Sequence, residues 1–513
     1  MVAPSQVAEV FAGVPLLAGL PEEERAELVH VASVRRLSAG DVLVAVGDLA
    51  EELYVVVSGR LRVEVDGQVV RHQGRGSTVG ELAFLTAGVR TATVVAVRDT
   101  VLAALDRATV AALLAGHPSV MAGVVRVLAE RLVPQARPAG PAGTVVLLQG
   151  QGLSVDSFEA YVDGLARDVE ELDSCAVLRR SEEPDEWGAR LDEAEAKHRV
   201  TLLVVPPGTP HATDDWAAFC ARQADRSVLV DLRALGLDRR RLARRLTGRA
   251  VGVVLSGGGA RGLAHLGVVA ALQDAGVVVD RWGGTSMGAL LAALHAQGAS
   301  PADATAVVRR ELVEHNPFHD FALPRHSLLR SGRVSRMLDR LFGRTRVEEL
   351  AAPYFAVSCD LHAAVEVVHR TGPLAEAVGA SMAIPGLVRP REWQGHLLVD
   401  GGVLNNLPVD VMAAEDEGPV VAVDVMRPFD LAGGSRPGRP PSLVETVGRS
   451  MVLGSWQKAA RHRDVADLVV LPELGSTGIS QFGRLDELVR AGRAAVEAAL
   501  DAADPDVLRR LGL

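Results

Sequence analysis

Lysine is nearly absent from this chain: Lys197 and Lys458 are the only two in 513 residues, and arginine carries almost all the positive charge. With abundant alanine, valine and glycine, that bias reads as codon usage and excludes no function. Cysteine is scarce too. Three cysteines without paired spacing build no disulfide framework and fit a reducing compartment. Cys175 and Cys220 therefore read as core residues. No uninterrupted apolar run approaches the roughly 20 residues that span a bilayer. Residues 1–22 lack a basic leader before their apolar positions, which argues against a signal peptide. The expected location is the cytoplasm, with any membrane contact peripheral. A net charge of −10 argues against a nucleic-acid partner. No cluster of metal ligands or calcium loop is visible, so no metal is expected to be required.

What is present is ample. With 48% hydrophobic and 23% charged residues, the chain can form three or four globular units with real cores. Its densest chemistry lies between residues 250 and 425. An apolar run, Val251-Gly252-Val253-Val254-Leu255, empties into Gly257-Gly258-Gly259-Ala260-Arg261-Gly262. A helix-like stretch and Val277-Val278-Val279 lead to Gly284-Thr285-Ser286-Met287-Gly288, and Leu397-Leu398-Val399 ends in Asp400-Gly401-Gly402. Each motif sits where a strand stops, the place where open α/β sheets gather reactive groups.

Gly-x-Ser-x-Gly at a strand-to-helix turn is a nucleophile elbow: Gly284 and Gly288 let backbone pass closely while Ser286 stands at the tip. Residues 287–295 read as the following helix, whose N-terminus favours negative charge. The glycines at 257–259 and 262 leave N–H groups unobstructed to form an oxyanion hole, where one donor is typically worth roughly 2.7–4 kcal/mol. Gly258 and Gly259 are the expected donors. Arg261 either anchors this loop or adds positive potential. Asp400 is the expected base, although Asp-Gly alone is ordinary turn chemistry.

A Ser-His-Asp triad would place a histidine after the acid. His462 is the only one there, in an arginine-flanked stretch that reads as a solvated helix face. A Ser286–Asp400 dyad is therefore preferred. A different class competes: Gly257-x-Gly259-x-x-Gly262 also fits a dinucleotide fingerprint, with Asp280 near the ribose-binding position. That alternative leaves Asp400-Gly401-Gly402 unexplained.

The three motifs in this order resemble the patatin-like phospholipases. Gly262-Leu263-Ala264-His265-Leu266-Gly267-Val268, Ala380-Ser381-Met382-Ala383-Ile384-Pro385-Gly386 and the stretch around Asp400 to Pro408 resemble more narrowly the neuropathy target esterase branch. The resemblance implies Ser286 as nucleophile, Asp400 as base, an oxyanion loop at 257–262, and ester substrates of the lysophospholipid or phospholipid kind. Asn405 and Asn406 are expected to tie down the loop presenting Asp400.

Residues 10–133 carry a separate resemblance. Leu53-Tyr54-Val55-Val56-Val57-Ser58-Gly59 and Arg60-Leu61-Arg62-Val63-Glu64-Val65 read as two strands around a turn, in a pattern of short strands that suggests a small barrel. Val79-Gly80-Glu81-Leu82-Ala83-Phe84-Leu85 followed by Val89-Arg90-Thr91-Ala92-Thr93 resembles the phosphate-binding cassette of cyclic nucleotide-binding domains. Gly80 can open a short helix toward a phosphate, Arg90 can pair with it, Glu81 can accept from the ribose hydroxyl, and Thr91 can add a bond. Val89 stands where that family often has proline. The regulatory ligand implied is cAMP or cGMP; a non-catalytic scaffold that senses such a nucleotide, or an interaction module that binds none, stays open. Residues 119–132 read as the closing helix. No helix-turn-helix follows, only a Pro/Gly/Ala linker at 134–143.

Residues 144–235 alternate strands (145–148, 202–205, 227–230) with helices (158–168, 187–197, 214–224), a small parallel α/β unit without a catalytic constellation. The arginine cluster Arg239, Arg240, Arg241, Arg244, Arg245 and Arg249 reads as a solvated helix docking this unit to the catalytic domain, or as a patch for anionic lipid at about 1 kcal/mol per residue. Residues 317–329 read as an acyl pocket, a lid or core packing. Residues 429–442 read as a surface loop. The expected architecture is thus a multidomain chain: an N-terminal barrel, a linker, a small α/β unit at 144–247, and an α/β hydrolase domain at 248–513.

Overall fold

The computed structural model describes residues 4–14, 17, 20–65, 68–80, 88–109, 144–181, 187–210, 214–230, 238–318, 327–330, 332–426 and 443–513. Glu81, the 119–132 helix, the 134–143 linker and the 429–442 loop lie outside them. The chain divides into two compact units, Met1–Thr247 and Gly248–Leu513.

The first unit opens with two antiparallel four-stranded sheets. One runs β1-β8-β3-β6 and the other β2-β7-β4-β5. Their strands are β1 Ser33–Leu37, β2 Val42–Val44, β3 Glu52–Ser58, β4 Leu61–Val65, β5 Gln68–Gln73, β6 Thr78–Val79, β7 Thr93–Ala96 and β8 Thr100–Asp106. Side-chain alternation along β3 explains its unbroken apolar run. Tyr54 and Val56 point between the sheets with Leu61, Val94 and Leu102. Leu53, Val55 and Val57 point the other way, onto Val7, Val10 and Phe11 of the helix Pro4–Gly13. Both faces are covered, so both must be apolar.

A fully parallel sheet follows in the order β10-β11-β9-β12. It comprises β9 Thr144–Gly150, β10 Cys175–Leu178, β11 Val200–Val205 and β12 Arg226–Val230. β10 is a strand that the apolar pattern did not announce. Helices cover both faces, as parallel sheets require. Cys175 and Cys220 are buried, and burial pushes each thiol up to about 12, so both are inert core residues. The arginine-rich helix Arg239–Leu246 is not a free solvated face: Ala243 and Leu246 are buried in this unit's own core, and Arg239 pairs with Asp168 at 3.1 Å.

The second unit is built on a mixed sheet in the order β17-β18-β15-β14-β13-β19-β20, with β16 on β15. Its strands are β13 Val251–Leu255, β14 Val279–Thr285, β15 Tyr354–Asp360, β16 Val365–His369, β17 Arg391–Trp393, β18 His396–Asp400, β19 Val420–Val423 and β20 Leu468–Val470. β15, β14, β13, β19 and β20 are mutually parallel. The helix Ala264–Asp274 packs closely on Leu485–Asp501 through glycines: a Cβ on Gly267 would lie 1.9 Å from the Val489 carbonyl oxygen. Of residues 317–329, the described part is core: Phe318 stacks on Phe482 at 5.1 Å, and Leu329 is buried with Ala383 and Val388. No described helix is long and apolar enough to cross a membrane.

Candidate active site

β13 and β14 deliver two loops to the same end of the sheet. β14 stops at Thr285, and the helix Met287–Ala296 begins immediately after Ser286, which sits between them at φ 54°, ψ −120°. That left-handed conformation costs on the order of 1–3 kcal/mol and persists only when neighbours over-determine it. Here they do. A Cβ on Gly288 would lie 2.1 Å from the Leu255 carbonyl oxygen, and one on Gly284 would lie 2.6 Å from it. The turn therefore nests against the end of β13 only because both positions lack side chains. The Ser286 N–H donates to the Ser381 hydroxyl at 2.8 Å.

Asp400 arrives at Ser286 along the shared partner β15. β14 pairs with the first half of β15, ending at Thr285 opposite Val357. β18 runs antiparallel to the second half and ends with Asp400 opposite Ser358, the next residue. β16 occupies the other edge over the same span, so β14 and β18 meet end to end on one edge. The crossing is tight, since a Cβ on Gly401 would lie 2.3 Å from the Val357 carbonyl oxygen and 3.0 Å from Thr285 Cγ2. Asp400 is fully buried and accepts from the Gly402 N–H at 2.8 Å. Burial pushes its carboxyl up to about 6, a rise held in check by the Ser286 hydroxyl and the Gly402 amide. Among the described residues no fully formed hydrogen bond reaches Oδ2.

The glycine loop closes the third side. A Cβ on Gly257 would lie 3.2 Å from Ser286 Cβ and 2.6 Å from Asn406 Oδ1. The N–H groups of Gly257, Ala260 and Arg261 are bonded to the carbonyls of Asn406, Ile479 and Gly258. Those of Gly258 and Gly259 meet no acceptor among the described residues, and Gly259 takes φ 54°. Gly262 packs against Met287, where a Cβ would meet Cγ at 2.5 Å. Arg261 anchors the loop: Nε donates to the Val425 carbonyl at 2.8 Å and Nη1 to that of Thr477 at 3.2 Å. His265, fully buried and lowered to about 4 by desolvation, bonds the Ser256 carbonyl at 2.9 Å just ahead of the loop.

Other expectations meet different fates. Asp280 lies at the start of β14 and accepts from Val251 N–H at 3.3 Å, at the end of β13 opposite the glycine loop. A ribose acid cannot serve that loop from there, so the dinucleotide alternative loses its acid. His462 is buried rather than solvated; its Nδ1 bonds the Leu407 carbonyl at 2.7 Å and its Nε2 lies 3.6 Å from Asp410. Asn405 donates to Glu366 and Asp410, both at 2.9 Å, and Lys458 pairs with the same two carboxylates. Thr285 and Ser455 hydroxyls donate to the Asn405 and Gly402 carbonyls at 2.9 and 2.7 Å. Residue order gives Ser381 no role; only its bond to Ser286 reveals one. No group of three or more metal-ligating side chains forms among the described residues.

In the barrel, Gly80 takes φ 101°, and a Cβ there would lie 2.1 Å from Arg90 Nη1. Arg90 is buried; Nη2 donates to the Glu52 carbonyl at 2.7 Å and the guanidinium lies 5.5 Å from the Tyr54 ring centre. Nε and Nη1 have no partner among the described residues. Thr91 is exposed beside it.

An elbow serine, a glycine loop and a buried strand-end carboxylate on such a sheet define the patatin-like phospholipase class of ester hydrolases, and residues 253–413 match that family. Residues 34–117 match the cyclic nucleotide-binding domain. An uncharacterized NTE family protein of Mycobacterium tuberculosis is 32% identical, with 97% of this chain and 96% of that protein covered. The chain belongs to the NTE family, the neuropathy target esterase branch of that class. Mouse patatin-like phospholipase domain-containing protein 6 is 28% identical over 85% of the chain, which spans 40% of the mouse protein. A lysophospholipase of Aspergillus fumigatus is 26% identical over 90% of the chain and 41% of its own length.

Proposed function

We propose that the chain hydrolyses acyl esters of lysophospholipids or phospholipids through a Ser286–Asp400 dyad. The observation that carries this reading is the meeting of a serine held at φ 54° with a fully buried carboxylate at one point of β15. Asp400 accepts the Ser286 proton as Oγ attacks the acyl carbonyl. The oxyanion takes hydrogen bonds from the Gly258 and Gly259 amides, which have no acceptor to give up among the described residues. Asp400 returns the proton to the leaving alcohol, then deprotonates the water that releases the fatty acid. Base and oxyanion donors are all protein groups, so no metal or other cofactor is required and EDTA should leave the rate unchanged. The test is fatty-acid release from lysophosphatidylcholine by the purified chain; a chain that releases none from lysophospholipid or phospholipid refutes the substrate class.

His462→Ala should leave turnover per folded molecule within a few-fold while lowering stability by about 1–3 kcal/mol, since it strips the Leu407 carbonyl of its buried partner. Thermal melts beside kinetics check this. A thousandfold loss of turnover would restore a triad.

For the first unit we propose a cyclic nucleotide site in the domain spanning 10–133, with Gly80, Glu81, Arg90 and Thr91 around the phosphate and ribose. Two buried nitrogens of Arg90, Nε and Nη1, which have no partner among the described residues, support it, since a buried guanidinium demands an anion. Arg90→Ala should weaken cAMP or cGMP binding at least about 10-fold by calorimetry. If nucleotide controls hydrolysis, it alters wild-type turnover and not that of the variant. We further propose a 144–247 α/β domain and a 248–513 hydrolase domain, in a cytoplasmic protein that meets lipid surfaces peripherally.

A further inference from the structure

The helix Leu374–Ser381 ends where the C-terminal ends of β14 and β18 meet on the edge of β15. A change of strand interrupts the ladder and leaves backbone groups that must find other partners. Three of them are taken up by this one helix end. The Ser381 hydroxyl accepts from the Ser286 N–H at 2.8 Å and donates to the Val357 carbonyl at 2.6 Å. Two residues on, the Ala383 carbonyl accepts from the Asp400 N–H at 2.9 Å. Ser381 and Ala383 are both fully buried, so no water competes for these bonds.

We infer that Ser381 is a positioning residue for hydrolysis: its hydroxyl ties the nucleophile's amide to Val357 of β15, and the same turn, through Ala383, ties the amide of Asp400. One short segment thereby sets the distance between nucleophile and base, although the two are 114 residues apart. The geometry needs an oxygen that accepts and donates at once, which a hydroxyl supplies and alanine does not. Ser286 depends on it, because a residue at φ 54° keeps its direction only while its surroundings hold it. Ser381 acts through Ser286 and is not itself a reacting group.

This inference rests on the Ser286–Asp400 reading, and its test separates the two. In the full chain, competent sites are titrated to completion with a fluorophosphonate, and kcat per titrated site and KM are measured with lysophosphatidylcholine. Ser381→Ala should lower kcat per site roughly 10–100-fold, the scale of a small misplacement of a reacting group, with KM held within about twofold. Ser381→Thr, which restores the hydroxyl, should recover most of that loss. If Ser381→Ala is insoluble, Ser381→Cys, close in size but a weak acceptor, replaces it in the same comparison. Unchanged kcat per titrated site, with only fewer sites, overturns the inference and leaves Ser381 a folding residue. Persistent labelling of Ser286→Ala would instead overturn the underlying reading.

Discussion

Ser286→Ala should abolish ester hydrolysis and fluorophosphonate labelling together, by at least about 10⁴-fold in kcat. The loss is expected to be this large because nothing else on the elbow can replace Oγ. Thr285 and Ser381 hydroxyls are buried and committed to the Asn405 and Val357 carbonyls. The fold should be indifferent. Ser286 makes no side-chain cap to the helix that follows, and alanine keeps the Cβ, so the backbone strain is unchanged. Melting temperature near pH 4, where the buried Asp400 carboxyl is protonated, and cyclic nucleotide binding should therefore match wild type. Retained labelling by the variant would remove Ser286 as nucleophile. A wild type that neither labels nor turns over would leave the non-catalytic sensing scaffold as the better account.

Asp400 should reveal itself in opposite pH trends of activity and stability. As a base it works only when ionised, so kcat/KM should climb about tenfold per pH unit up to its pKa of about 6 and stay level above. Asp400→Asn should remove that limb and cost roughly 10²–10⁴-fold in rate. Stability runs the other way. Burial raises the folded-state pKa above the unfolded value, so the native protein binds this proton more tightly than the unfolded chain does. That contribution is fully present below the unfolded pKa near 3.9 and is lost as pH rises through about 6. At pH 8 the ionised, buried carboxylate then costs on the order of 3 kcal/mol. Asparagine keeps an oxygen for the Gly402 N–H and carries no charge. Asp400→Asn should thus melt higher than wild type at pH 8, with the gap closing toward pH 4. An inactive variant that is less stable at pH 8 would contradict the burial argument.

Some of this was legible in residue order because its physics is local. Gly284 and Gly288 flank Ser286 within five residues, and the elbow they make needs no distant partner beyond the end of β13. Gly80 and Arg90 are likewise close in the chain, and a Cβ on Gly80 would run into the Arg90 guanidinium. His462 misled, because a charged neighbour does not fix which way a helical side chain faces: Arg461 is exposed, while the His462 ring turns inward to the Leu407 carbonyl and Arg463 reaches Asp424. Asp280 misled for a related reason: spacing counts residues from the glycine loop but does not say at which end of β14 they stand.

By itself, then, the order of residues determined the class of chemistry: a serine on a tight turn, unobstructed glycine amides and an aspartate at a strand end. Hydroxyl, amide and carboxylate keep their reactivity wherever they lie, and glycine's freedom at a turn is intrinsic. Only the tertiary structure decided that these groups meet. β15 supplies consecutive pairing positions, Val357 for Thr285 and Ser358 for Asp400, and so joins two strand ends far apart in the chain. The same packing removes Asp400 from water and pushes its carboxyl up to about 6. Register and burial belong to the assembled sheet, because a hydrogen-bonded ladder has two sides and a strand carries only one.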